Sequence, residues 1–314
     1  LLEIIKNKIE GKWVNTHSHL DRAYTASLEN IKYSNESIEN KWALVDFVKK
    51  NSNHYSIYDR MKKATDNMQA QGVSVIGTFI DVDSVVGDKN IEASKLLIQS
   101  NKDIEIVFIN QTLKGVLNSE ERKWFDIAVE FVDIVGSLPS TDKDINKHLD
   151  IVLSTAKRLN KRVHVHVDQN NTIKEKETEK LINKIIEYKM EGQVTAIHCI
   201  SLNCHSIKYR ESIYKLMSKV GLSVITCPYA WVNHKRYEDK VPFHNALTPV
   251  DEMLQHDILV GLGTDNISDI MCPYRDGNML SELELLLEGN RLYDNIEEVI
   301  NIATINGKKI LGLS

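Results

Sequence analysis

The sequence predicts an α/β fold, a (β/α)8 TIM-type barrel in one domain over residues 1–314, on three observations. Short runs rich in Val and Ile recur eight times, as buried parallel strands do. Amphipathic stretches of helical period alternate with them, the order that builds a parallel sheet. The side chains able to do chemistry gather at the ends of the runs, where a barrel carries its active site. An open doubly wound sheet is the alternative, but no Gly-x-Gly-x-x-Gly follows a strand.

The first strand, 13–16, leads into His17-Ser18-His19-Leu20-Asp21. Residues 23–54 read as a long insertion after it, with Trp42, Phe47 and many polar residues; loops on that side of a barrel shape its site. The following strands are expected at 73–80, 104–110, 131–136, 162–167, 193–199, 222–227 and 258–263. Helical patterns occupy 58–71, 92–100, 142–159, 174–190, 206–220 and 249–255, and 280–313 reads as further helices. Gly72, Gly192 and Gly221 each follow a helix, where a left-handed C-cap favours glycine.

Net charge is -5 and the isoelectric point is near 6.2, which excludes the basic surface of a nucleic-acid binder. Cys199, Cys204, Cys227 and Cys272 form no Cys-x-x-Cys pair and read as reduced thiols. There is no apolar run of membrane-spanning length and no signal-peptide core, so a cytoplasmic protein with no membrane partner is expected. No heptad or apolar stripe points to an assembly; the oligomeric state stays open, a homo-oligomer included.

In an extended strand, side chains two apart share a face, so His17 and His19 can grip one ion. Taken alone, a strand histidine is more often packing than ligand; the ordered set is what carries weight. The fifth strand ends with His164 and His166, the sixth with His198, the eighth with Asp265. In a barrel these ends converge. His17, His19, His166 and Asp265 make a mixed nitrogen and oxygen site suited to one Zn or Fe ion with room for water. Asp265 could also take the proton of that water, and His198 could hydrogen-bond water or substrate. His164 shares the face of His166 and competes with it; His166 is favoured because it lies nearer the C-terminal end of the strand. His54, His148, His205 and His256 read as solvated, while His234 and His244 lie in a loop within reach of the mouth. A two-metal site would need a lysine or carboxylate after the fourth strand, and Gly136-Ser137-Leu138-Pro139-Ser140 has neither.

Softer candidates surround this set. Arg22 would meet a substrate oxygen or anion, or be a surface cation or a partner of Asp21. Trp231 would stack on a planar ring, or be a core aromatic. Asn266 would bind substrate, or hold a turn. Asp168 would position His198 or Arg22, or cap the next helix.

The pattern resembles the amidohydrolase superfamily, specifically its cytosine deaminase-like branch, over nearly the whole chain. The resemblance rests on His17-Ser18-His19-Leu20-Asp21, Thr78-Phe79-Ile80-Asp81, Phe108-Ile109-Asn110-Gln111, His166-Val167-Asp168, Cys227-Pro228 and Gly263-Thr264-Asp265-Asn266, in that order. It implies one divalent metal ion, Zn or Fe, on His17, His19, His166 and Asp265. It implies His198 and Asp265 as catalytic residues and Gln111 and Asn266 facing the substrate. The implied reaction is hydrolysis of a C–N bond of a small nitrogenous heterocycle, by deamination or dealkylamination.

Two departures stand out. The deaminases of this family carry a glutamate three residues after the fifth-strand histidine, and here that place is Gln169. An amide cannot deliver a proton. Gln169 then orients a less demanding substrate, or is a solvated loop residue. Cyclic amide hydrolysis and a catalytically impaired ligand-binding barrel follow as alternatives. The family also often carries a small β-sandwich built from both chain ends, which is expected to be absent or truncated here.

Overall fold

The computed structural model describes residues 2–232, 247–293 and 295–313; His234 and His244 lie outside them. All eight expected strands are present: β1 (Trp13–Ser18), β2 (Val73–Asp81), β3 (Glu105–Gln111), β4 (Val135–Ser137), β5 (Val163–Val167), β6 (Val194–His198), β7 (Ser223–Thr226) and β8 (Val260–Leu262). They pair in parallel as two arcs, β1-β2-β3 and β4-β5-β6-β7-β8. Single parallel bridges join the arcs, Ile109 to Ile134 and Ser18 to Asp265. This is the (β/α)8 order with two seams.

Side chains stitch both seams. Asn110 Nδ2 donates to the Gly136 carbonyl at 3.1 Å, and the Gly136 N–H donates to Asn110 Oδ1 at 2.8 Å. One side-chain amide thus replaces a rung of the ladder. Position 136 must be glycine, because a Cβ there would overlap the Asn110 carbonyl oxygen. At the other seam, Thr16 Oγ1 donates to the Leu262 carbonyl at 2.7 Å and Asn15 Nδ2 to Thr264 Oγ1 at 2.9 Å. The N–H groups of Thr264 and Asp265 both donate to the His17 carbonyl, at 3.0 and 2.9 Å.

Outward-facing Val and Ile of the strands pack against the helices as the main core. A second apolar cluster includes Val14, Phe79, Ile109, Ile197 and Ile225, with Ile310 and Leu311 from the last helical segment packed into it.

Four expectations are corrected. The insertion is not a loop throughout: a helix, Ile38–Asn51, forms within it, and another, His54–Ala70, begins at its end. Ser37 caps the first through the Asn40 N–H. A further helix, Ser119–Phe131, replaces the start of the expected fourth strand. Asn118 caps it, Glu120 and Glu121 sit at its positive end, and Phe125, Ala128 and Val129 make its buried stripe. The helix Glu177–Tyr188 ends on Lys189 in the left-handed conformation, so Gly192 belongs to the next turn. His148 and His205 are buried, not solvated. His148 bridges Ser137 Oγ at 2.9 Å and Asp142 at 2.7 Å, and His205 Nε2 contacts the Glu175 carbonyl at 2.9 Å.

The helix Ile38–Asn51 is fastened over the barrel mouth. Its Val45 joins Ile270, Met271 and Cys272 in a small apolar cluster. Asp46 meets Lys114 Nζ at 2.7 Å, and Lys49 reaches Asp81 at 3.1 Å and also Asp83.

Candidate active site

The C-terminal ends of β1, β5, β6 and the turn after β8 bring five predicted side chains together. Nitrogens of His17, His19 and His166 lie within 4.8 Å of one another, as do ligand atoms of His17, His198 and Asp265. Asp265 Oδ1 is 3.4 Å from His17 Nε2 and 3.2 Å from His19 Nε2, and its Oδ2 is 3.8 Å from His198 Nε2. Phe79 walls the cluster, with ring centroids 4.9 Å from His17 and 4.8 Å from His166. His166 Nδ1 lies 3.3 Å from the Ser137 carbonyl, the kind of contact that turns the opposite nitrogen inward. His164 does not join them: its Nε2 is 3.4 Å from the Ile310 carbonyl, toward the other end of the barrel.

The local backbone is unusual where function concentrates. His198, Cys199, Asp168 and Asp265 all have positive φ, from 52° to 79°. Such conformations cost a non-glycine residue about 1 kcal/mol or more and persist only where the surroundings hold them. Asp265 is held by its N–H on His17, and His198 by Thr248 Oγ1 on its carbonyl at 2.6 Å. Asp168 accepts from the Glu177 and Thr178 N–H groups and from Thr178 Oγ1. Of the readings open for Asp168, capping the next helix is the one these bonds bear out.

Burial keeps the imidazoles of His19, His166 and His198 neutral. It lowers His19 and His166 well below the ordinary histidine range and brings His198 to about 3. Burial alone would raise Asp265, but the close imidazoles of His17 and His19 hold it well below the usual carboxylate range. Among the described residues, both nitrogens of His17 and the Nδ1 atoms of His19 and His198 are buried without a hydrogen bond. Buried polar atoms rarely go unmatched. Unpartnered imidazole nitrogens beside a carboxylate fit a divalent cation, so the residues present suit the metal that the sequence implied.

Above the cluster lies a pocket of about 790 Å³, mouth included. Gln111, Asn266, Arg22, Trp231 and Gln169 all line it. Trp231 meets His198 edge-on at 4.9 Å. Gln169 is only 7% exposed, so the solvated-loop reading does not hold. Arg22 is neither a surface cation nor an Asp21 ion pair: its Nε is 3.2 Å from Asp269 and its Nη1 is 3.6 Å from Asp81. Asp21 instead accepts from the Asp81 N–H at 2.9 Å and Asn90 Nδ2 at 2.8 Å. Trp42, named in the insertion from the sequence, lines the pocket, while Glu36 and Lys41 beside it were missed. Sequence reasoning also missed Asp269, whose signal was an aspartate three residues after Asn266 at a strand end. All four cysteines are free and buried. Among the described residues, no helix is long and apolar enough to cross a membrane.

Known proteins agree with this picture. An uncharacterized protein of Haemophilus influenzae is 47% identical over 258 residues, covering 80% of this chain and 92% of that one. The N-isopropylammelide isopropyl amidohydrolase of Pseudomonas sp. strain ADP is 26% identical over 332 residues, covering 98% of this chain and 78% of that one. The crystal structure of 5-methylcytosine deaminase from Klebsiella pneumoniae, liganded with 5-fluorocytosine, superposes with a TM-score of 0.88 at 22% identity. It covers 96% of this chain and 74% of that one, a likeness of fold. The model of the amidohydrolase family matches residues 13–314, and the chain belongs to that family.

Proposed function

We propose that this protein is a cytoplasmic, metal-dependent hydrolase of C–N bonds in small nitrogenous heterocycles, releasing ammonia or an alkylamine. The observation that carries this is the gathering of His17, His19 and His166, and of His17, His198 and Asp265, at strand ends beside a pocket lined by Gln111, Asn266, Arg22 and Trp231. The similarity to an isopropyl amidohydrolase supports the same reading.

These four residues would hold one Zn or Fe ion, which when bound supplies a Lewis acid that makes water nucleophilic near neutral pH. The rest is the work of the chain. Asp265, kept ionised, receives the proton of the attacking water. His198, kept neutral, gives an N–H to the oxygen where charge develops. Trp231 closes the side of the pocket next to His198 and lies against a planar ring. Arg22, Gln111 and Asn266 orient that ring. Gln169 holds a substrate group by hydrogen bonds but moves no proton, so the leaving amine draws its proton through Asp265 and His198. That division of labour favours an amine leaving group already basic enough to take a proton readily.

Elemental analysis of the purified protein and of the His17→Ala/His19→Ala double variant tests the reading. About one equivalent of zinc or iron is expected in the wild type and almost none in the variant. A wild type that binds neither metal after reconstitution would overturn it.

A further inference from the structure

An amide side chain offers a donor at one end and an acceptor at the other. The partner that holds one end decides which end is left for a ligand. Asn266 Nδ2 lies 2.6 Å from Asp269 Oδ2. The Asp269 carboxyl already accepts from Arg22 Nε and from two backbone N–H groups, so it accepts from Asn266 as well, which turns its NH2 there and leaves Oδ1 for the pocket it lines. Gln111 Oε1 accepts the Thr112 N–H at 2.9 Å. A backbone N–H only donates, so Gln111 keeps its Nε2. Arg22 donates its Nε to the same Asp269 oxygen at 3.2 Å, and its Nη1 faces Asp81 at 3.6 Å, which leaves the rest of the guanidinium for the pocket it lines. Asp269 is 1% exposed, and its other oxygen accepts the N–H groups of Met271 and Cys272 at 2.8 and 3.1 Å. The carboxylate is therefore fixed by the backbone on one side and fixes two pocket side chains on the other.

We propose that Asp269 is a positioning residue that sets the hydrogen-bond polarity of the pocket, so that the site selects rings with a lactam edge, an N–H beside a carbonyl oxygen. The ring N–H meets Asn266 Oδ1, and the carbonyl oxygen meets the Arg22 guanidinium or Gln111 Nε2. This rests on the reading of the pocket as a heterocycle site and narrows its substrate class. The ring binds as the oxo tautomer, not as a hydroxy tautomer or a ring alkylated at that nitrogen. Asp269 touches no substrate and acts through Asn266 and Arg22.

Calorimetric binding of uracil and of 1,3-dimethyluracil to the zinc-loaded protein tests this. The first has the lactam edge and the second has its N–H groups blocked. The wild type prefers uracil by about tenfold or more, the scale on which a site with a buried polar group left unpaired rejects a ligand. In Asp269→Asn the preference falls to about threefold or less, because the new amide lets Asn266 turn over, while zinc content is unchanged. The exchange variant Asn266→Asp/Asp269→Asn restores an acceptor at position 266 and with it the preference. A merely structural role would weaken both probes alike and leave their ratio intact. Should Asp269→Asn not fold, Asn266→Ala leaves the Asp269 backbone contacts in place and must lose the preference by itself. Full preference in Asp269→Asn or in Asn266→Ala overturns the proposal. So does a wild type that hydrolyses an aminated ring yet binds both probes equally, and in that case the hydrolase reading stands. A wild type that prefers uracil but hydrolyses no C–N bond refutes the hydrolase reading and upholds the pocket polarity.

Discussion

Replacing Lys49 with Met removes one ammonium and keeps most of its aliphatic stem. Lys49 is 4% exposed, 3.1 Å from Asp81 and in contact with Asp83. Deleting one partner of a buried ion pair costs about 3–5 kcal/mol, because the other charge stays buried and uncompensated. Unfolding entropy is about 2.1 cal/mol/K per residue, or roughly 0.66 kcal/mol/K for 314 residues. The variant should therefore melt about 5–8 °C below the wild type at pH 7. The pH dependence has a definite sign. Burial alone would raise the Asp83 carboxyl, but the Lys49 ammonium holds it below its ordinary value. A carboxyl depressed in the folded state adds stability above its unfolded pKa and gives it up as pH falls through the folded value. Without Lys49 the carboxyl moves up, so the variant loses less on acidification and the gap narrows between pH 7 and about pH 3, as the wild type gives up the Asp83 contribution. Melting curves by circular dichroism at both pH values measure this. A loss under about 2 °C at pH 7, or a gap that stays constant into acid, would refute the account of Lys49 as a buried tether.

Restoring a proton carrier with Gln169→Glu should raise cytosine deamination by about a hundred- to ten-thousand-fold, read as ammonia release, and no gain would show that the pocket does not present cytosine to that position. Burial, with the Asp168 and Glu175 charges behind it, pushes the Glu177 carboxyl up to about 8. Its ionisation burdens the fold increasingly as pH rises from the unfolded value toward 8, so Glu177→Gln should raise the melting temperature at pH 9 and change it little at pH 5. Gly136→Ala should abolish soluble expression or cost several degrees of melting temperature, since a Cβ would enter the Asn110 carbonyl; unchanged melting would show that the seam yields easily.

The strands were legible because each is a short Val/Ile run closed by a polar tag, and a barrel buries such runs on both faces. The five clustered site residues were legible for a related reason: histidine and aspartate are seldom put in buried strand ends without employment. Helix Ser119–Phe131 was missed although Asn118 and two glutamates announce its start, because the Phe131-Val132 end reads equally as the beginning of a strand. The insertion helix was missed because its buried face includes a lysine. Lys49 counts as polar in any hydrophobic pattern and becomes a core residue only when Asp81 and Asp83 arrive from β2. His148 was misjudged in the same way, since its helix position looks exposed until Ser137 and Asp142 close on it. Arg22 and Asp269 are 247 residues apart, and nothing local announces their pairing.

The junction of the first and last strands has a temporal meaning. The Asp265 N–H that helps close the ring on His17 belongs to the residue whose carboxylate faces His17 and His19. During synthesis His17 and His19 are made well before their carboxylate partner, which lies 246 residues beyond His19. The full set of side chains therefore cannot assemble until the turn after β8 has been made, and an ion held by the proposed site would load late and report that the circle has been finished. A ligand bound only by the finished ring stabilises that ring by mass action. The ion would then act as the clasp of a necklace, fastened last and holding the two ends together.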